Sequence, residues 1–148
     1  MDALDHHLLT EIQADARLSY AELGRRVGLS PPAVADRLRR LEADGVVTGY
    51  HAAVDPARLG RPVRAFLHLQ VDRAHFPRAV AAVQAMDEVL TCHRTTGSSS
   101  LVMTVAVASV EALEVLIDKL LPFGEPVTQM ILSTPIARRS VTPAASGR

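Results

Sequence analysis

Five arginines fall between positions 25 and 40: Arg25, Arg26, Arg37, Arg39 and Arg40. A single acid, Asp36, interrupts them. A guanidinium is a planar fork that pairs with phosphate oxygens or with a guanine edge, so this window suits a polyanion. The chain as a whole has 16 basic and 16 acidic side chains and a formal net charge of zero, so it offers no long-range field to such a partner. The competing reading is a solvated charged face closed by its own acids, of which residues 1–50 hold eight. A second polar cluster, His93, Thr95, Gly97, Ser98, Ser99 and Ser100, offers an imidazole, hydroxyls and backbone N–H groups. Those groups satisfy a carboxylate more readily than an ammonium. The six histidines, His6, His7, His51, His68, His75 and His93, show no metal-ligand spacing. Cys92 and His93 are neighbours in an alternating segment, so a strand would turn them to opposite faces and prevent a Cys/His couple. No glycine-rich phosphate loop is present. Neither a cofactor, nor a metal, nor an enzyme is expected.

The elements that position these groups follow from apolar spacing. Leu4, Leu8, Leu9 and Ile12 stripe a first helix. Ser19 caps a second, with Glu22 three residues on as a capping box and Leu23 and Val27 turned inward. Gly28 turns the chain into a third helix capped by Ser30, with Pro31 and Pro32 in its first turn and Val34, Leu38 and Leu41 as its stripe. Gly45 stops it. Two helices joined by a short glycine-bearing turn make a helix-turn-helix. The outer face of the third helix carries Pro32, Ala33, Asp36, Arg37, Arg39 and Arg40. Residues 46–54 read as a small wing or a linker strand.

Asp55-Pro56 and Gly60-Arg61-Pro62 then punctuate the chain. The expected division is a helix-turn-helix domain at 1–50, a linker at 51–62, a second domain at 63–136 and a tail at 137–148. The second domain alternates over 63–72, turns helical over 76–86, extends over 88–97 and 100–109, turns helical over 110–121 and extends again over 127–136. The order β-α-β-β-α-β predicts a ferredoxin-like sheet with both helices on one face, so the fold class is α+β. The segment 100–108 is apolar on both sides, which predicts that an identical chain covers the open face as a homodimer.

Apolar residues are 48% of the chain and aromatics 3%, so aliphatic packing builds the cores. One cysteine excludes an internal disulfide and suits a reducing cytoplasm. No signal-like run and no stretch of membrane-spanning length is visible, so a soluble protein without a membrane partner is expected.

These residues also carry a family pattern. The chain resembles the Lrp/AsnC, or feast/famine, transcriptional regulators over 4–60 and 63–136. The matching stretches are "IQADARLSYAEL" and "GLS" followed by R-x-x-x-L-E-x-x-G-V-V-x-G-Y, met here from Gly28 to Tyr50. The resemblance implies an N-terminal domain that binds double-stranded DNA and a C-terminal domain that dimerises and senses small molecules, usually amino acids. It also implies further assembly of dimers into a tetramer or octamer. The recognition helix would start at Ser30, with Ser30, Pro31, Pro32, Ala33 and Asp36 facing the groove. Arg37 would reach a base edge or a phosphate, or else pair with Asp44 or Glu42, and Arg39 and Arg40 would hold phosphates.

The family's turn between its second and third strands ordinarily carries an Asp and an aromatic. Here it is "GSSSL", 97–101: Gly97 is kept, no acid stands at Ser99 or Ser100, and Leu101 replaces the aromatic. That implies a weaker hold on an α-ammonium, a different ligand, or a regulator with no small-molecule effector. Sirohaem decarboxylases share the two-part build and use histidines of the sensing half. In that alternative His68 and His93 would be the residues at work.

Overall fold

The computed structural model describes residues 1–143. They form two compact units. One comprises Met1–Ala53 together with the chain from Ile136, and the other comprises Val54–Pro135. The tail expected at 137–148 therefore groups with the N-terminal unit as far as it is described. The Gln13 side chain donates to the Val141 carbonyl and accepts from the Val141 N–H, at 3.0 and 2.8 Å. The remainder of that tail, 144–148, lies outside the described residues.

In the N-terminal unit α1 spans Ala3–Ala14, α2 Tyr20–Val27 and α3 Pro31–Ala43. Leu8, Ile12, Leu23, Val27, Val34, Leu38 and Leu41 form its core, with Leu9, Leu18, Leu29 and Val47 packed around them. The capping box expected at Ser19 is only half formed. Its hydroxyl accepts from the Glu22 N–H at 3.1 Å, while the Glu22 carboxylate turns to Arg25 and Arg26 instead. The complete capping box belongs to α1. Asp2 accepts from the Asp5 N–H at 2.8 Å and Asp5 accepts from the Asp2 N–H at 2.9 Å.

The α2–α3 turn depends on Gly24, inside α2. A Cβ at Gly24 would stand 2.3 Å from the Leu29 carbonyl oxygen, so only glycine lets the turn fold back onto α2. Gly45, at φ 70°, ends α3: the Gly45 N–H donates to the Glu42 carbonyl and the Val46 N–H to the Leu41 carbonyl. The expected wing does not form, and residues 46–54 hold no strand among the described residues. Val46 and Val47 both donate back to the Leu41 carbonyl, which draws the start of the segment onto the helix end. A groove of about 760 Å³ runs beside this segment, lined in part by Leu9, Ile12, Val46, Tyr50 and Val141.

The second unit contains β1 (Val63–Val71), α4 (Phe76–Gln84), β2 (Val89–Arg94), β3 (Leu101–Val107), α5 (Val110–Leu120) and β4 (Gly124–Met130). The sheet order is β2-β3-β1-β4 and every pairing is antiparallel. That is the ferredoxin-like plan. Ala65, Leu67, Leu69 and Val71 of β1 and Leu101, Met103, Val105 and Val107 of β3 pack with Ala79, Val83, Leu113, Leu116 and Leu120 of the helices.

The last strand is displaced from its expected span of 127–136. It begins at Gly124 and ends at Met130, and 131–136 is irregular. Gly-Glu-Pro reads as a turn, yet β4 is an edge strand, where a residue without an N–H is tolerated. Gly124 is required by close approach: a Cβ there would lie 1.9 Å from the Gln70 carbonyl oxygen.

Candidate nucleic-acid interface and small-molecule cleft

The first turn of α3 is presented to solvent. Ser30 accepts from the Ala33 N–H at 3.4 Å. Ser30, Pro31, Pro32 and Asp36 are exposed and Ala33 is half-buried. Small side chains and ring carbons at the start of a helix permit close approach to a surface. Further along, Arg39 and Asp36 pair at 2.9 Å with both side chains 70% exposed. An exposed pair of this kind contributes about 0–1 kcal/mol, so a phosphate can displace the aspartate from Arg39.

Arg37 is differently placed, turned to the acids at the start of α1. One of its Nη atoms lies 2.8 Å from Asp2 Oδ2 and 2.7 Å from Asp5 Oδ1, and the side chain is only 22% exposed. Arg40 reaches the same Asp5 at 3.2 Å while its own side chain stays largely in solvent. Asp5 is 2% exposed. Burial opposes its charge, but the Asp2 N–H and the Arg37 guanidinium outweigh burial and hold the carboxyl below its ordinary value. Asp2 is held down to about 2, first by the Asp5 N–H and then by Arg37.

The alternative partners named for Arg37, Asp44 and Glu42, do not hold it. Glu42 instead accepts from the Tyr50 hydroxyl at 2.8 Å, and burial, followed by that carboxylate, pushes Tyr50 up to about 12. Arg26 is likewise held by Glu11 and Glu22, while Arg25 pairs with Glu22 and keeps its side chain 74% exposed. Much of the basic window is therefore internally paired, and Arg39 and Arg40 are the α3 arginines that still reach outward.

The second polar cluster divides in two. Thr95 donates through its hydroxyl to the Ser99 carbonyl at 2.7 Å and through its N–H to the Ser100 carbonyl at 3.1 Å. The Ser100 hydroxyl donates to the Val71 carbonyl at 2.9 Å and accepts from the Val71 N–H at 3.2 Å. These two residues stitch the turn to the sheet, and Gly97 supplies its φ of 100°. Ser98 and Ser99 remain, and they line a cleft of about 280 Å³ with His68, Gln70, Glu125, Val127 and Gln129.

His93 stands two strands from the cleft wall, in the row His93–Val102–His68–Val127. Of the six residues singled out, His93, Thr95, Gly97 and Ser100 thus lie outside the lining. Glu125, Gln70 and Gln129 were missed. Cys92 is paired with Met103 and His93 with Val102, so the two do face opposite sides of the sheet.

Two family patterns cover this architecture. The AsnC-type helix-turn-helix domain matches residues 1–42 and the Lrp/AsnC ligand binding domain matches residues 64–141. The HTH-type transcriptional regulator LrpC of Bacillus subtilis is 35% identical over 133 residues, covering 90% of this chain and 92% of its own. Its solved structure superposes with a TM-score of 0.89 over 93% of this chain and 99% of that one. The regulatory protein AsnC of Escherichia coli is 34% identical over 143 residues, 93% of this chain and 94% of its own. A feast or famine regulatory protein of M. tuberculosis, Rv3291c, solved with L-methionine, superposes with a TM-score of 0.87 at 36% identity, over 96% of this chain and 99% of that one. With both halves matched, in this order and over nearly the whole length, the chain belongs to the Lrp/AsnC family of helix-turn-helix transcriptional regulators.

Proposed function

We propose that the chain regulates transcription by docking α3 in a DNA major groove and that an amino acid or related metabolite in the sheet cleft modulates it. Ser30, Pro31, Pro32, Ala33 and Asp36 form the surface that approaches the bases, and Arg39 and Arg40 contact flanking phosphates. The observation that carries this reading is the exposed, small-residue first turn of α3, fixed to α1 at its far side by the Asp2–Asp5–Arg37 cluster. A methyl such as that of Ala33 suits contact with a thymine methyl, and the arginines supply affinity without sequence preference. The protein works as a homodimer in the cytoplasm, with dimers assembling further, because two copies can then read two successive grooves.

The effector reading rests on the cleft and on the L-methionine complex of the M. tuberculosis relative. Gel shifts on the gene's own upstream DNA test the first part. Arg39→Ala and Arg40→Ala should each weaken binding across sequences and flatten the salt dependence by roughly one unit of slope. Slopes unchanged in both variants would remove α3 from the phosphate contacts.

A further inference from the structure

After β4 the chain returns to the unit that carries α3. Val141 belongs to the same compact unit as α1, although β4 belongs to the other. The chain therefore passes between the units twice, at Ala53–Val54 and again at Pro135–Ile136. The second passage restrains the units only if the segment beyond it is held.

Gln13, half-buried in the last turn of α1, holds it. A glutamine amide has two N–H groups and one carbonyl oxygen, and here all are used. Its nitrogen donates to the Leu9 carbonyl at 3.1 Å and to the Val141 carbonyl at 3.0 Å, and its oxygen accepts from the Val141 N–H at 2.8 Å. One side chain thus satisfies both backbone groups of one residue, the pairing that an adjacent strand would offer. Val141, Thr142 and Pro143 also line the groove beside Leu9, Ile12 and Tyr50. On the other side of the crossing, the Ile131 N–H donates to the Arg64 carbonyl of β1 at 2.9 Å. The hold at Gln13 is directed at backbone and is slight. Val141 itself stays 80% exposed, and two surface hydrogen bonds do little more than offset the entropy of ordering a short segment. Docked and released states therefore lie close in free energy, which is what a switch requires.

We propose that residues 136–143 are a strap, docked on α1 through Gln13, that limits how freely the DNA-binding unit turns against the rest of its own chain. Docked, that unit has two tethers. Released, it keeps the one at Ala53–Val54 and can reorient. Contacts to a single half-site are made within the unit and do not change. Discrimination between spacings of two half-sites needs the recognition helices held at a fixed separation, so it falls on release. The inference rests on reading α3 as the DNA-docking helix and the protein as a dimer.

Two variants of the full chain test it. Gln13→Ala removes the amide, and Val141→Pro removes the donor N–H from a residue that lies outside every helix. Trypsin cleaves after Arg138 and Arg139 and reports docking without DNA. Intact-mass time courses should show the strap lost about fivefold faster or more in both variants, with the parent's melting temperature. Gel shifts then compare three probes from the gene's own upstream DNA: one half-site, two half-sites in helical phase, and two set half a turn out of phase. Both variants should match the parent on the single half-site and lose about fivefold or more of its preference for the in-phase pair. Unchanged cleavage in both variants would overturn docking through Gln13. Faster cleavage with the spacing preference intact would overturn the restraint. A parent that shifts the single half-site but ignores spacing would overturn it too, while leaving α3 on the DNA. If the parent shifts no probe, the DNA reading falls and the inference falls with it.

Discussion

Arg37 shows how one side chain changes role when its partners become visible. Counted along α3 it lies near the outer face, and a partner a turn away was the natural alternative. The residues that hold it, Asp2 and Asp5, are more than thirty positions distant and serve first as the capping box of α1. Helical periodicity cannot report a contact across that separation. The same limit hid Glu125, because a turn-like Gly-Glu-Pro concealed the strand that carries it.

The cluster has a defined pH signature. Both carboxyls have folded values below the ordinary 3.8. Each therefore stabilises the fold above that value, and the contribution is lost as pH falls from there toward about 2 for Asp2. Arg37→Ala should lower the melting temperature by several degrees at neutral pH and reduce the loss of stability over the acid range. DNA binding should weaken with a nearly unchanged salt slope, since this guanidinium sits on carboxylates and not on phosphates. Thermal melts across pH, set beside gel shifts at two salt concentrations, check both. A slope that falls as it should for Arg40→Ala would return Arg37 to the DNA surface.

At the scale of elements, capping and periodicity placed the helices well. Ser30 with Pro31 and Pro32, and the Gly45 stop, give α3 its observed limits. Of the stripes read from spacing, Leu8 and Ile12 in α1 and Val34, Leu38 and Leu41 in α3 are buried, while Leu4 and Leu9 are half-buried. Strand limits were less legible, because a strand ends where its partner's hydrogen bonds end, and the partner is remote in sequence. The β4 register, from Val71 opposite Gly124 to Ala65 opposite Met130, is set by β1 and by the contact at Gly124.

Two glycines give the elements their testable joints. Gly24→Ala must move the Leu29 carbonyl, which is backbone, and overpacking of that kind costs about 1–3 kcal/mol. It should lower stability and DNA affinity together, as urea unfolding and gel shifts would show. Gly124→Ala must push β4 away from Gln70 and carry Glu125 with it. Calorimetry on this variant should show weaker binding of any amino acid that binds the parent. Undiminished affinity there would mean that the cleft tolerates a shifted β4.

For the molecule as a whole, the open sheet face is what asks for another copy of the chain. The sequence reads 100–108 as apolar on both sides, and the structure qualifies the second side. Ala106 is fully buried within its own unit, opposite Arg64, and Thr104 interrupts the row. What remains is Val102 with Phe66 on β1, 43% exposed, and Val127 on β4, 54% exposed, set among Thr91, His68, Gln70 and Gln129. A mixed face of this kind matches an interface with an apolar centre and a polar rim better than it matches a bare core half. Phe66 is the large central side chain, and aromatic residues carry a disproportionate share of interface energy, often about 2 kcal/mol or more each. Sedimentation at micromolar concentration should show a dimer or a multiple of it. Phe66→Asp should shift the population toward monomer, because it removes the anchor and buries a charge without a partner. A half-site pair bound by two linked helices should then lose far more affinity than a single half-site, since the second contact becomes bimolecular. A Phe66→Asp protein that still sediments as a dimer would place the interface away from this face, and the two recognition helices would have to be joined by another surface.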